Sequence, residues 1–146
     1  MTYEPSELLH LNRDQLDELF RSSPAGDIPD GPANGTPIVH PGSALTGAIA
    51  EVIKLFAWQG KVFDAKHAVL ENRISPLGVK AITATIYRGE SLFDGKDCIV
   101  LDYSETSIVA HRVRDEIRSI APNVYLGLAY WEKSPVLYFV LEFTNS

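Results

Sequence analysis

The segment Trp58-Gln59-Gly60-Lys61-Val62-Phe63 sets one cation among aromatic side chains. In an extended chain successive side chains alternate between faces, so Lys61 and Phe63 share one. A lysine beside aromatic surface at the mouth of an apolar pocket would hold a carboxylate or another anionic head. Its commoner use is to lay its stem along that surface while the ammonium stays in water. Asn72-Arg73 follows in a mixed stretch and could also fix the polar end of a ligand. A second set is Tyr87, Tyr103, Tyr125, Tyr130 and Tyr138, phenols carried on otherwise apolar segments.

Asp102 closes the run 96–103, where Cys98, Val100 and Asp102 share one face and Ile99, Leu101 and Tyr103 the other. A carboxylate on so apolar a strand is costly to bury without a partner. If Asp102 faces an enclosed interior, burial raises its pKa and makes it a candidate general base. The alternative is a strand-end acid that caps the turn 104–107. Among His10, His40, His67 and His111, the last is the candidate general acid–base group. None sits in a His-x-His or His-Glu-x-x-His pattern, so no metal site is expected. Glu142 is the lone charge of an apolar run, either outward-facing or paired with Arg73 or Arg88.

Several chemistries are excluded by absence. The chain has no Gly-x-x-x-x-Gly-Lys-Ser/Thr, no Gly-x-Gly-x-x-Gly and no Gly-x-Ser-x-Gly, which argues against nucleotide hydrolysis, dinucleotide-dependent chemistry and an esterase-type serine. A single cysteine, Cys98, leaves no disulfide framework and no cysteine zinc site.

The elements that must position these groups come from 146 residues, 45% hydrophobic and 22% charged. That is one domain's worth of chain, and too apolar to be disordered throughout. No apolar run reaches the ~20 residues of a membrane helix, so an integral membrane protein is not expected. The acidic start Met1-Thr2-Tyr3-Glu4-Pro5 lacks the basic and apolar regions of a signal peptide, which points to the cytoplasm. Net charge is −6. The acids Glu4, Glu7, Asp14, Asp17, Glu18, Asp27 and Asp30 outweigh Arg13 and Arg21 in the first 30 residues, and the remainder is nearly balanced. A nucleic-acid partner is not expected, because no basic face emerges. Homodimerisation stays open.

Asn12 is placed to cap a helix carrying Leu16, Leu19 and Phe20. Residues 24–37, rich in proline and glycine, read as a connecting loop or a strap. A short strand over 36–40 and a second helix from Ser43 to Ala57 follow. Residues 60–63, 78–88, 96–103, 124–131 and 135–143 read as strands. Asp94-Gly95 marks a hairpin turn, and Glu132-Lys133-Ser134 joins the last two strands. Residues 108–120 read as a helix capped by Ser107, with Val109, Val113, Ile117 and Ile120 on one side. Arg112 and Glu116 would then pair at i,i+4, and Arg114 and Arg118 would share a solvated face. In the sharper alternative, Arg114 folds over a pocket to bind a carboxylate. The expected fold is mainly β (α+β): a small antiparallel barrel with N-terminal and inserted helices acting as plugs. Residues 1–35 form the helix and strap, and 36–146 the barrel domain, in one structural unit.

The Trp58–Phe63 segment behind an apolar helix, Leu16-Asp17-Glu18-Leu19-Phe20, Asn72-Arg73 and the terminal strand meander together resemble the small bacterial lipocalin-like proteins of unknown function. The chain is especially similar to the family named for Gly-x-Trp-x-Gly, whose members share Trp-x-Gly-Lys-x-Phe; at the place of the naming motif it reads Gly35-Thr36-Pro37-Ile38-Val39. The resemblance implies a calycin-type barrel with a pocket for a small, mostly apolar ligand.

The expected function is therefore binding of a small hydrophobic or amphiphilic molecule, fatty-acid-like or terpenoid. Trp58, Lys61, Phe63, Asn72, Arg73, Tyr87, Tyr103, Tyr125 and Tyr130 are its candidate ligand-binding residues. The alternative is a cofactor-independent isomerase, cyclase or decarboxylase using Asp102 with a tyrosine or Lys61, with His111 as the other candidate catalytic residue. No cofactor is expected, with haem on His111, His67 and the tyrosines as the outlying option. A protein–protein adaptor built on the acidic N-terminal segment is a third reading.

Overall fold

A computed structural model describes residues 5–38, 61–72, 82–104 and 112–143. Two helices come first, α1 (Pro5–Leu8) and α2 (Arg13–Ser22). The described strands are β1 (Gly31–Ile38), β2 (Lys61–Asp64), β3 (Val69–Asn72), β4 (Ile82–Glu90), β5 (Asp97–Asp102), β6 (Val113–Ala121), β7 (Val124–Trp131) and β8 (Ser134–Phe143). Each pairs antiparallel with its neighbour in sequence, and β8 pairs back onto β1 to close a barrel. The expected antiparallel barrel is present. Among the described residues no helix is long and apolar enough to cross a membrane.

Alternation sorts the side chains into two clusters. One gathers Phe63, Ile86, Leu101, Ile117, Ala129, Phe139 and their neighbours from around the barrel, and is the interior. The other joins Leu126, Leu128, Tyr130, Tyr138 and Val140 of β7 and β8 to Leu8, Leu16 and Phe20 of the helices. The α2 helix therefore packs on the outer wall and does not plug the barrel. It starts where expected: Asn12 Oδ1 accepts from the Gln15 N–H (2.8 Å), and Gln15 Oε1 accepts from the Asn12 N–H (2.9 Å), a reciprocal capping box.

Residues 24–30 form a strap across one barrel end. Ala25 enters the interior cluster and Ile28 packs against it. The Pro24 carbonyl accepts from the Ser119 N–H (2.9 Å), the Gly26 carbonyl from Arg88, and the Asp27 carbonyl from the Tyr125 hydroxyl (2.6 Å). Gly26 has φ +76°, and a β-carbon there would meet Ser119 Cβ at 2.6 Å, so the close crossing requires glycine. The strap ends at Asp30. Gly31–Ile38, expected as loop through residue 37 with a short strand beginning at 36, is strand β1, and the 35/36 boundary falls inside it. β1 pairs with β2 only over Gly31–Ala33 among the described residues, so from 34 onward it carries the β8 ladder alone. A strand with one ladder tolerates Pro37, which has no N–H to donate.

The second correction is β6. Residues 113–121 are a strand, not the second half of a helix. Val113 and Ile117 are four apart, a spacing that a helical face and a strand face both satisfy. The tight turn at Pro122-Asn123, with Asn123 at φ +62°, sends the chain straight back as β7. The Ser43–Ala57 helix expectation and the first half of the 108–120 expectation lie outside the described residues.

Candidate functional site

The register of the central strands lays out the inner wall in rows. One row reads Ile86, Leu101, Asp115, Ala129, Leu137 across β4 to β8. Asp115 is fully buried, and so are both its carboxylate oxygens. An ionised carboxylate in an apolar wall is the most expensive kind of group to place there, and it can accept hydrogen bonds, hold a cation or take up a proton. Reading 108–120 as a helix put Asp115 among solvated charges. Strand alternation from Ile117, two residues away, is the signal that would have turned it inward.

Toward the strap end, the next row is filled. Phe139 lies so close over Gly127 that a β-carbon there would meet its ring at 2.1 Å. Beyond it the Phe63 and Phe143 rings meet edge-on at 5.0 Å, and those of Tyr125 and Phe143 at 5.5 Å. With the strap above them, these rings close that end. At the opposite end lie Ile38, Lys61, Asn72, Ile82, Asp102 and Val113, the strand ends to which residues 39–60, 73–81 and 103–112 connect.

A second polar cluster stands on the outer wall. Glu116 is fully buried; its carboxylate accepts from Ser91 Oγ (2.6 Å), the Leu92 N–H (2.8 Å), Arg114 Nη2 (2.9 Å) and the Tyr130 hydroxyl (3.3 Å). Desolvation and this carboxylate push the Tyr130 phenol well above its ordinary range. Arg118, 1% exposed, forks onto Asp94 at 2.7 and 2.8 Å and donates to the carbonyls of Phe20 (2.8 Å), Asp97 (3.1 Å) and Lys96 (3.3 Å). Its guanidinium also lies 4.5 Å over the Phe20 ring. The Arg118 hydrogen bond holds the Asp94 carboxyl below its ordinary value. Every partner here belongs to the chain, so the cluster fastens α2 and the 91–96 hairpin to β6.

The expected site residues separate into several places. Phe63, Tyr103 and Tyr125 are in the interior cluster. Tyr130 belongs to the outer cluster, bonded to Glu116. Tyr87 shares a register row with Val100 and Glu116 on the outer face and is 40% exposed. Tyr87 and Tyr130 therefore cannot line the same pocket as Tyr103. Asp102 is on the outer face too, in register with Thr85 and Arg114. It accepts from the Ser104 N–H (2.8 Å) and the Tyr87 hydroxyl (3.2 Å). Partial desolvation works to raise its pKa, but the bonds from Ser104 and Tyr87 and the Arg114 charge outweigh that and leave it lowered. Of the two readings of Asp102, the strand-end acid that caps the turn fits this geometry, and the interior acid with a raised pKa does not. Arg114 binds the chain's own Glu116, two residues along the strand, and Arg112 pairs with Glu132 at 3.1 Å. The backbones of Lys61 and Asn72 pair with each other across β2 and β3. Trp58, Arg73 and His111 lie outside the described residues. His67 is exposed and bonds Asp64 at 2.7 Å on the β2–β3 turn. Among the described residues no three histidine, cysteine or acidic side chains gather as a metal site. Cys98 is buried, its thiol pushed up to about 12 mainly by desolvation.

No protein-family model matches the chain, and no curated protein matches it. A solved structure does: a crystal structure of a protein from Thermomonospora curvata, at 18% identity and a TM-score of 0.61, over 92% of this chain and 89% of that one. At that identity the likeness shows a shared fold, a mostly antiparallel β-barrel with few helices, and nothing of the chemistry inside it.

Proposed function

We propose that the chain binds a small hydrophobic or amphiphilic ligand within a lipocalin-like barrel. The supporting observation is the inner wall: a closed antiparallel barrel whose inward faces are apolar, sealed at one end by strap and aromatic rings, with a carboxylate set in its middle rows. Small-molecule sites are mostly apolar enclosures with a few placed polar groups, and this wall has that composition. Binding is preferred to turnover because Asp102, the expected base, stands outside the barrel.

The test is mass spectrometry of an organic extract of the freshly purified protein, with a thermal-shift panel of fatty acids, alcohols, amines and terpenoids on the extracted protein. A stoichiometric apolar species, or a raised melting temperature with one class of amphiphile, is the expected result. An empty extract with no shift across the panel refutes the reading and favours a protein–protein adaptor.

A further inference from the structure

We infer that Asp94-Gly95 is a latent site of self-modification, an aspartate-to-isoaspartate rearrangement whose sole co-reactant is water, and that Arg118 holds it unreacted. In this reaction the Gly95 backbone nitrogen attacks the carboxyl carbon of Asp94. The amide proton and the carboxyl hydroxyl leave as water, and a cyclic imide remains. Water then opens the ring at either carbonyl. One opening restores aspartate, and the other leaves the main chain running through the side-chain carbon. No atom is gained or lost overall. A glycine after the acid favours the attack because no side chain crowds its nitrogen. Gly95 is exposed, holds φ +74°, and a β-carbon there would meet nothing within 4 Å, so neither burial nor crowding protects it.

The protection comes from the contacts of the hairpin. Arg118 Nη2 and Nη1 donate to the two Asp94 carboxylate oxygens at 2.7 and 2.8 Å, and the Lys96 N–H donates to Oδ1 at 3.0 Å. The fork keeps the carboxyl ionised, and a carboxylate is a far poorer electrophile than the neutral acid. The attacking nitrogen is engaged as well: the Gly95 N–H donates to the Ser91 carbonyl at 2.8 Å. The guanidinium is itself fixed by the carbonyls of Phe20, Asp97 and Lys96. Rearrangement would lengthen the main chain between β4 and β5 by one carbon and shorten the arm that carries the carboxylate. Arg118, 1% exposed, would then be left buried without its counter-charge.

The test is incubation of the full-length protein at neutral pH, warmed below its melting temperature, beside a capped synthetic peptide of residues 91–97. Digestion and electron-transfer fragmentation, which tells isoaspartate from aspartate, give the rate at position 94. The native protein is expected to react at least about ten-fold more slowly than the peptide, because only a locally opened hairpin reaches the geometry of attack. Arg118→Met should be at least about five-fold faster than wild type, while Gly127→Ala, which crowds Phe139 in the interior, stays within about two-fold. Wild type reacting as fast as the peptide overturns the inference. So does a folded Arg118→Met no faster than wild type, or an equal gain in Gly127→Ala, which would make unfolding of the whole barrel the controlling event. The comparison of wild type with peptide decides even if neither variant folds.

Discussion

Replacing Arg118 with methionine keeps most of the aliphatic stem and removes the guanidinium. The change strips Asp94 of its paired charge and leaves the carbonyls of Phe20, Lys96 and Asp97 without that donor. Removing one partner of a buried pair costs about 3–5 kcal/mol, because the other charge is left uncompensated. Asp94 retains 11% exposure and can turn toward water, which places the expected loss near the lower end, about 3 kcal/mol. For a domain near this size that lowers the melting temperature by roughly 6–12 °C. Urea unfolding followed by circular dichroism gives the free energy. Amide exchange should show the excess opening concentrated in residues 91–96 and the last turn of α2, the segments the guanidinium joins to β6. Adding Asp94→Asn to Arg118→Met removes the stranded carboxylate and should recover about 1 kcal/mol. A variant within about 1 kcal/mol of wild type, or exchange that rises evenly over the whole barrel, refutes the clamp.

The Asp94 carboxyl is lowered in the folded state, so its stabilisation is fully present above the unfolded value of 3.8 and is lost as pH falls through the lower folded value. Acid titration of stability should show this loss in wild type and a smaller one in Arg118→Met; equal acid slopes would contradict it. Gly127→Ala forces a β-carbon into the Phe139 ring. A loss of about 3 kcal/mol is expected by urea unfolding, partly relieved by Phe139→Leu, and a neutral result would show that the ring has room. Lys133 holds φ +72° in the two-residue turn between β7 and β8. Lys133→Gly should stabilise the fold by about 1 kcal/mol, and a destabilised variant would contradict the left-handed conformation.

Much of the barrel was legible because its strands obey local rules. Asp94-Gly95 announces the β4–β5 turn, and Gly95 takes φ +74° there. The alternation in 96–103 sets Ile99, Leu101 and Tyr103 on one face, and all three stand in the interior cluster. β6 was misread because Val109, Val113, Ile117 and Ile120 recur at helical spacing, which left the adjacent acids Asp115 and Glu116 on a helix with a solvated face. In the structure they are buried on opposite faces of one strand, one in the barrel wall and one beneath the 91–96 hairpin. Burial of Glu116 and Arg118 depends on partners some 20 to 100 residues away, Ser91, Asp94 and Phe20, which periodicity does not reveal. Asp102 shows a different limit: an apolar run identifies a buried strand without saying which of its two faces looks inward, so an interior base and a turn cap both stayed open in the sequence.

The seam between β1 and β8 has a consequence for biosynthesis. Among the described residues the other ladders join strands consecutive in the order β1 to β8, so they can form as the chain emerges, whereas β1 must wait for roughly 100 further residues, on the order of 5–20 s of translation, to meet β8. Throughout that interval its β8-facing edge has no native partner and is open to pairing with the wrong chain. Gly31-Pro32-Ala33-Asn34-Gly35-Thr36-Pro37-Ile38 is a poor template for such pairing, with two prolines, two glycines and few apolar side chains. The composition that disguises β1 as a loop thus keeps a nascent half-barrel from sticking to its neighbours until its own last strand arrives.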